Sequence, residues 1–378
     1  MYLEWLSLTC FRNYKYQHIN FEETLNIIYG DNAQGKTNLL EAIHLLITLQ
    51  PFRSIQHKEF IFWNEPQSII EGSFVHGEMA KKYTLFLDHH KKKPHINDNP
   101  IGKAADYLGG AHTISFLPQD LGLLQGAPRQ RRRYFDKVIY GFYPHYADLL
   151  SRYYKALVQR NAAFHMERED LVELWGEQLC EQGGKVHLNR LQFIQKLNTL
   201  TSCLYRKISG SEENMFLKYE SEIYSKKNNE ENIGWKESDI ASLLRKKQIE
   251  READERRLRR SLVGPHSDDI SFLVGNHHRD LKLFGSQGEQ RTAVLAIKLA
   301  ELTIFDAEMN RRPIFLLDDI TSELDHHRMQ HLFSVLREKE RQIFVTTTNP
   351  SLFLNPAEKP VLYHVTKGNI LYERTPKQ

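Results

Sequence analysis

Two stretches near opposite ends of this 378-residue chain carry residues able to handle a phosphorylated ligand. Near the start, Gly30, Asp31, Asn32, Ala33, Gln34, Gly35, Lys36 and Thr37 fit the P-loop pattern: two glycines frame four residues, then Lys and Thr follow. Such a loop turns successive backbone N–H groups toward phosphate oxygens. Lys36 would reach the β and γ phosphates, and the Thr37 hydroxyl would hold Mg²⁺. Near the finish, Ile314-Phe315-Leu316-Leu317 runs into Asp318 and Asp319. Asp318 would hold the Mg²⁺ shell, and Asp319 would orient or deprotonate an attacking water. An Asp there is one methylene shorter than the Glu that many ATPases of this architecture use, so slow hydrolysis is expected, suited to a switch. Read singly, the first stretch could be a glycine turn and the second a strand running into a turn. Together they place one nucleotide, ATP with Mg²⁺, where the two ends of the chain meet.

The elements around them must deliver those side chains. The apolar run Leu25 to Tyr29 reads as a strand entering the loop, and Leu39, Leu40, Ile43, Leu46 and Ile47 keep the spacing of a helix leaving it. Four apolar residues before Asp318 describe a buried parallel strand, whose C-terminal end opens on the crevice where α/β sheets bind ligands. Residues 1 to about 120 mix short apolar runs with turn signals, including Lys91-Lys92-Lys93-Pro94 and Asn97-Asp98-Asn99-Pro100, which read as hairpin tips. From about 121 to 262, proline and glycine thin out and amphipathic charged stretches predict a mainly helical insert, with a polar break at Lys226-Lys227-Asn228-Asn229. Short strands are expected at Ile270 to Val274 and Leu281 to Phe284, then an apolar helix at Ala293 to Phe305. The expected organisation is an α/β ATPase lobe split between 1–120 and 305–378, with a mainly helical lobe over 121–304.

Charge narrows the partners. Fifty-one basic against forty-eight acidic residues leave +3, so affinity for nucleic acid must come from clustered charge. One cluster is Arg129, Arg131, Arg132 and Arg133, with no compensating acid until Asp136; it reads as a DNA phosphate patch, or as a packed helix paired with distant acids. The other runs from Arg245-Lys246-Lys247 to Arg259-Arg260, where Glu252 with Arg256 and Glu255 with Arg259 stand four apart, as on a solvated helix. The dipeptides His89-His90, His277-His278 and His326-His327 lack metal-ligand spacing. Cys10, Cys180 and Cys203 form no CxxC, nothing at the N-terminus resembles a signal peptide, and no stretch of about twenty apolar residues appears. A cytoplasmic protein without a membrane span is expected.

Phe284-Gly285-Ser286-Gln287-Gly288-Glu289-Gln290-Arg291 is a small-residue helix start, with free N–H groups and a dipole suited to an anion. In the order P-loop, helical insert, this signature helix, Asp-Asp strand and Thr321-Ser322-Glu323-Leu324-Asp325, the chain resembles the ABC-type heads of chromosome-maintenance ATPases. Phe11-Arg12-Asn13-Tyr14, Asn38 to Ile43, Phe116-Leu117-Pro118-Gln119-Asp120-Leu121, Gly264-Pro265-His266 with Asp268-Asp269, and Ser322 to Asp325 are similar to motifs of the RecF family. That resemblance covers nearly the whole chain. It implies an ATP-bound homodimer in which Ser286, Gln287 and Gly288 of one subunit close over the γ-phosphate held by the other's P-loop, with Asp325 at the shared seam. It also implies that Arg12 and Asn13 touch the nucleotide and that Gln119 senses the metal or γ-phosphate. The implied function is recombinational repair: binding double-stranded DNA beside single-stranded gaps and, with RecR and RecO, helping the recombinase displace single-strand-binding protein.

Ser267, Gln287 and Gln119 depart from the family's more common Arg, Thr and Glu, and Thr346-Thr347-Thr348 falls where transporter ATPases carry a switch histidine. Other classes fit less well. A transporter subunit would carry its signature closer behind the P-loop, and a long coiled-coil chromosome ATPase would need sustained heptads in the insert. A nuclease would need a further acidic metal site after Asp325.

Overall fold

The computed structural model describes residues 1–53, 56–103, 106–107, 111–224, 234–309, 312–337, 340–353 and 360–373. The polar break expected from Lys226 to Asn229 lies outside them. The chain opens with β1 (Tyr2–Phe11), β2 (Tyr14–Asn20), β3 (Leu25–Tyr29) and α1 (Lys36–Thr48). Strands β4 (Gln67–His76), β5 (Met79–Asp88), β6 (Lys92–Ile96), β7 (Asn99–Pro100) and β8 (Thr113–Phe116) follow. Next come α2 (Pro128–Phe142), α3 (Tyr146–His165), α4 (Glu169–Ser209), β9 (Met215–Glu220), α5 (Glu237–Glu250), α6 (Glu252–Leu258), β10 (Asp269–Val274) and β11 (Arg279–Asp280). The last stretch holds α7 (Gln287–Met309), β12 (Ile314–Leu317), α8 (His326–Arg337), β13 (Ile343–Thr347), β14 (Val361–Thr366) and β15 (Asn369–Glu373). Two units result: Met1–Asp120 with Glu301–Gln378, and Leu121–Ala300.

In the first unit an antiparallel sheet runs β2-β1-β4-β5-β6-β7, and a second sheet runs β15-β14-β3-β13-β12-β8, parallel except for the edge pair β14–β15. Strands β12 and β13 are buried along their whole length, as parallel strands covered on both faces must be. Helix α1 supplies the filling: Leu39, Leu40, Ile43, Leu46 and Ile47 join Leu3, Leu6 and Leu8 of β1, Ile28 of β3, Leu316 of β12 and Phe344 of β13 in one core. Each such side chain contributes about 1.5–3 kcal/mol by leaving water. With β13 seated between β3 and β12, the P-loop and the Asp318 strand end emerge one strand apart at the same sheet edge.

The second unit is mainly helical around a small sheet, β11-β10-β9. Pro128 starts α2, which buries Arg131, Phe135, Ile139 and Phe142 on one face. Helix α4, 41 residues long and so about 60 Å, ends at Gly210 in the left-handed conformation. A buried polar network ties these elements to the Gly264–Asp268 segment. Arg190 donates to both Asp136 oxygens at 2.8 and 2.9 Å and to the Pro265 carbonyl at 2.6 Å, while Tyr146 donates to Asp136 at 2.6 Å. Tyr219 donates to Asp268 at 2.7 Å, and Tyr153 meets His266 at 2.5 Å. The Gly-Pro-His motif thus serves packing in this unit.

Several expectations need correction. Leu281–Phe284 is a one-turn helix, because the Asp280 carboxylate accepts the Lys282 N–H at 2.7 Å and turns the chain; only Arg279–Asp280 pairs with β10. The apolar helix starts at Gln287, ahead of Ala293, because Ser286 and Glu289 cap each other's N–H groups at 2.8 and 3.3 Å. The first hairpin tip lies at Asp88–Lys91, where Asp88 accepts the His90 and Lys91 N–H groups, and Lys92 already belongs to β6. Arg256 does pair with Glu252 at 2.7 Å. Glu255 does not pair with Arg259: it is fully buried against Arg160 at 2.7 Å, and Arg259 reaches Glu167 at 2.9 Å.

Candidate nucleotide-binding site

The turn between β3 and α1 needs its glycines. Gly30 sits at φ +144°, where a Cβ would run into the Val365 carbonyl, and Gly35 at φ +119° leads into α1. No side chain caps α1, so its first-turn amides and the positive end of its dipole are left for an anion. Lys36 folds back across the loop, its Nζ donating to the carbonyls of Gly30 at 2.7 Å and Asp31 at 2.8 Å. Burial lowers the Lys36 pKa from its ordinary value, opposed by Asp319, Asp318 and Asp31. Of these, Asp318 and Asp319 line the crevice and would share it with an incoming phosphate, which calls for a cation between them.

Asp318 directly follows β12 and is buried. It accepts two hydroxyls: Thr37 Oγ1 lies 2.9 and 3.0 Å from its two oxygens, and Thr346 Oγ1, at the end of β13, lies 2.7 Å away. Burial raises the Asp318 carboxyl above its ordinary value, the Thr346 and Thr37 hydrogen bonds pull it back, and the neighbouring Asp319 pushes it up again. Asp319 takes a left-handed conformation, φ +48°, as the chain enters the one-turn helix Ile320–Glu323. Its N–H donates to Thr346 Oγ1 at 2.8 Å, and its carboxylate accepts the Ser322 hydroxyl at 3.0 Å. Between these parts lies a crevice of about 170 Å³, lined on the loop side by Asn32, Ala33, Gly35, Lys36, Thr37 and Asn38, and on the strand side by Asp318, Asp319 and Thr346. A hydroxyl and a carboxylate at its floor form a hard-oxygen donor set of the kind Mg²⁺ takes alongside water and phosphate.

The remaining residues singled out from the sequence stand elsewhere. Asn13 braces the loop from outside: its Nδ2 donates to the Gln34 carbonyl at 2.9 Å and its Oδ1 accepts Asn38 Nδ2 at 2.8 Å. Arg12 is held by Glu41 of α1 at 2.6 Å and by the Glu59 carbonyl at 2.9 Å, with its guanidinium over Phe60. Gln119 lies in the short helix Pro118–Leu121, and Asp325 caps α8 by accepting the Arg328 N–H; neither lines the crevice. Ser286, Gln287 and Gly288 belong to the other unit, where Glu289, the partner of Ser286 in the cap, is held by Arg279 at 2.5 Å. That contact draws the Glu289 carboxyl down to about 2.

The arginine cluster divides by face, which corrects the reading of Arg131 as a phosphate contact. Arg131 is buried; it pairs with both oxygens of Asp269 at 2.7 Å and donates to the Gly126 carbonyl at 2.8 Å. Its compensating acid comes from β10, 138 positions further along the chain, as in the packed-helix alternative. Arg132 donates to the Asp268 carbonyl at 2.5 Å, while Arg129 and Arg133, four apart on α2, are exposed. Among the described residues no three His, Cys, Asp or Glu side chains converge on a metal position, and no helix is long and apolar enough to cross a membrane.

Sequence reasoning noted Thr346 only as part of Thr346-Thr347-Thr348 and missed its contact with both acids, and it missed the clasp formed by the β14–β15 turn. The Lys367 N–H donates to Gln34 Oε1 at 2.7 Å and the Gly368 N–H to the Gln34 carbonyl at 3.2 Å. Thr346 had a signal: a hydroxyl ending a buried apolar strand needs a partner. The clasp had none, since nothing in a Lys-Gly turn specifies what it touches.

The AAA ATPase domain family model matches residues 1–256. The DNA replication and repair protein RecF of Geobacter sulfurreducens is 34% identical over 98% of this chain and 99% of its own length. The protein of the same name from Bacillus subtilis is 37% identical over 92% and 94%. A solved structure of the recombination mediator protein RecF-ATP in the RecFOR pathway superposes with a TM-score of 0.85 at 30% identity, covering 98% of this chain and 99% of that one. An Smc head bound to the C-terminal winged-helix domain of ScpA superposes at 0.58 with 15% identity, a likeness of fold alone.

Proposed function

The chain belongs to the RecF family of DNA replication and repair proteins, and we propose that it works as an ATP-operated, DNA-binding switch of recombinational repair. The observation that carries this reading is the meeting of Thr37 with Asp318, 281 positions apart, at the floor of the P-loop crevice. Thr37 and Asp318 hold Mg²⁺, which neutralises β and γ phosphate charge when bound. Lys36 exchanges its two loop carbonyls for phosphate oxygens, and Asp319 orients the attacking water. With an Asp in that place turnover is slow, so the ATP-bound state persists long enough to serve as a signal.

In that state two copies pair, Ser286, Gln287 and Gly288 of each covering the nucleotide of the other, with Asp325 at the seam. Arg12, Asn13 and Gln119 complete the nucleotide contacts. The dimer binds double-stranded DNA beside single-stranded gaps, through exposed cations such as Arg129 and Arg133, and with RecR and RecO helps load the recombinase. Support for a DNA-facing role comes from two arginines left in solvent on α2 while their neighbours are spent on packing.

Static light scattering with ATP, with ADP and without nucleotide tests the reading. The wild-type mass doubles with ATP alone, and Lys36→Ala stays monomeric in all three. A Lys36→Ala variant that dimerises with ATP like the wild type would overturn it.

A further inference from the structure

Thr346 occupies an unusual place in the crevice. It is fully buried at the end of β13, the strand seated between the P-loop strand and the Asp318 strand. Its one hydroxyl does two things at once: it donates to Asp318 Oδ1 at 2.7 Å and accepts the Asp319 N–H at 2.8 Å. A hydroxyl has one proton and two lone pairs, so both bonds form without competition. Asp318's other hydroxyl partner, Thr37, sits beside both carboxylate oxygens at 2.9 and 3.0 Å.

We propose that Thr346 is a positioning residue that couples the two acidic residues of the site, fixing the Asp318 carboxylate for the metal and the Asp319 backbone for the water. The inference rests on the nucleotide-switch reading above. A cation held by Thr37 and Asp318 would occupy a Thr37 lone pair, whereas the Thr346 hydroxyl, bonded to Asp318 and to the Asp319 N–H, stays committed to orienting the carboxylate. The same contact pins the one residue at the strand end with positive φ, where the backbone would relax if its N–H lost its partner. A second hydroxyl pair, Thr347 with Thr321 at 3.2 Å, ties the next residue of β13 to the one-turn helix that Asp319 begins. Strand β13 therefore holds the acidic turn at two successive positions, and Thr346 hydrogen-bonds to both acids.

The test compares Thr346→Val, Thr346→Ser and Asp319→Asn in the full chain. Valine keeps the shape and removes the hydroxyl; serine returns it. Two quantities are read: kcat and KM for ATP, and the affinity of the ATP-bound chain for Mn²⁺, followed by loss of the free-ion electron paramagnetic resonance signal. Thr346→Val lowers kcat about tenfold, the worth of one hydrogen bond at the transition state, with KM changed less than about twofold. Its Mn²⁺ dissociation constant rises at least about threefold, and Thr346→Ser recovers both values. Should the valine variant not fold, Thr346→Ala carries the same expectation.

If Thr346→Val loses thermal stability but keeps wild-type kcat and Mn²⁺ affinity, the hydroxyl is only packing and the inference is overturned. If Asp319→Asn slows turnover while Thr346→Val does not, this inference fails alone. Unchanged turnover in Asp319→Asn would instead remove Asp319 from hydrolysis, the part of the switch reading on which this inference rests.

Discussion

Replacing Arg131 and Arg133 separately by alanine turns the two sides of α2 into an experiment. The Arg131 side chain is 4% exposed and its partner Asp269 28%. Removing one member of a buried, hydrogen-bonded pair costs about 3–5 kcal/mol. Asp269 retains some water, which recovers part of its solvation, so the lower end, about 3 kcal/mol, applies. The carbonyls of Leu124 and Gly126 lose a donor as well. For a unit of this size that loss lowers Tm by roughly 6–12 °C. Arg133 is exposed, so its removal changes stability by less than about 0.5 kcal/mol. On DNA the order reverses. Arg133→Ala weakens binding equally on unrelated duplex sequences and reduces the slope of log affinity against log salt by about one unit. Arg131→Ala, assayed below its lowered Tm, keeps the wild-type slope. Thermal denaturation and duplex binding titrated from about 50 to 200 mM salt measure both. An Arg131→Ala variant of wild-type stability with a flattened slope would refute the division of faces.

Three further outcomes are expected. Asp319→Asn keeps ATP binding and lengthens the life of the ATP-bound dimer, read as slower decay of scattering after excess ADP; decay at the wild-type rate removes Asp319 from hydrolysis. Gly368→Ala strains a residue at φ +74° and drives a Cβ into the Asn13 carbonyl, costing about 1–2 kcal/mol or more and loosening the clasp on Gln34. ATP affinity measured by fluorescent-analogue titration falls with it, and wild-type affinity would show that the clasp does not shape the loop. Glu289, drawn down from 4.5 to about 2 chiefly by Arg279, adds stability that is fully present above its ordinary value and is lost as pH falls toward 2. The Tm gap between wild type and Glu289→Gln therefore narrows from pH 6 to pH 3, and a constant gap would contradict the pairing.

The nucleotide crevice was legible in the sequence because its chemistry is local. Gly30 to Thr37 must turn, expose amides and open a helix, and each requirement names a residue type. Asp318 and Asp319 were legible once an apolar run marked the strand carrying them. What stayed hidden depends on long-range pairing. Arg131 looks like its neighbours along the chain, and only the helical rotation that turns it inward toward Asp269 sets it apart from Arg133. Leu281–Phe284 has strand-like composition, yet one capping bond from Asp280 decides it as a helix. Glu255 stands four from Arg259 but is consumed by Arg160, because α6 ends at Leu258 and Arg259 leaves the helix in a left-handed conformation.

The strand order also sets a timetable for synthesis. Strand β3 is flanked by β13 and β14, and β8 has β12 as its neighbour, so the parallel sheet gains its first complete pairs only after residue 314. At roughly 5–20 residues per second, the P-loop strand waits roughly 15–60 s between its own emergence and that of β13. The antiparallel strands β1, β2 and β4 to β7 all lie within the first hundred residues, Leu121–Ala300 is one continuous stretch, and neither has to wait. A ribosome paused late in this message would therefore hold a chain with its insert closed and its nucleotide site unmade. No truncation before the final strands should bind ATP, however much of the remainder has folded.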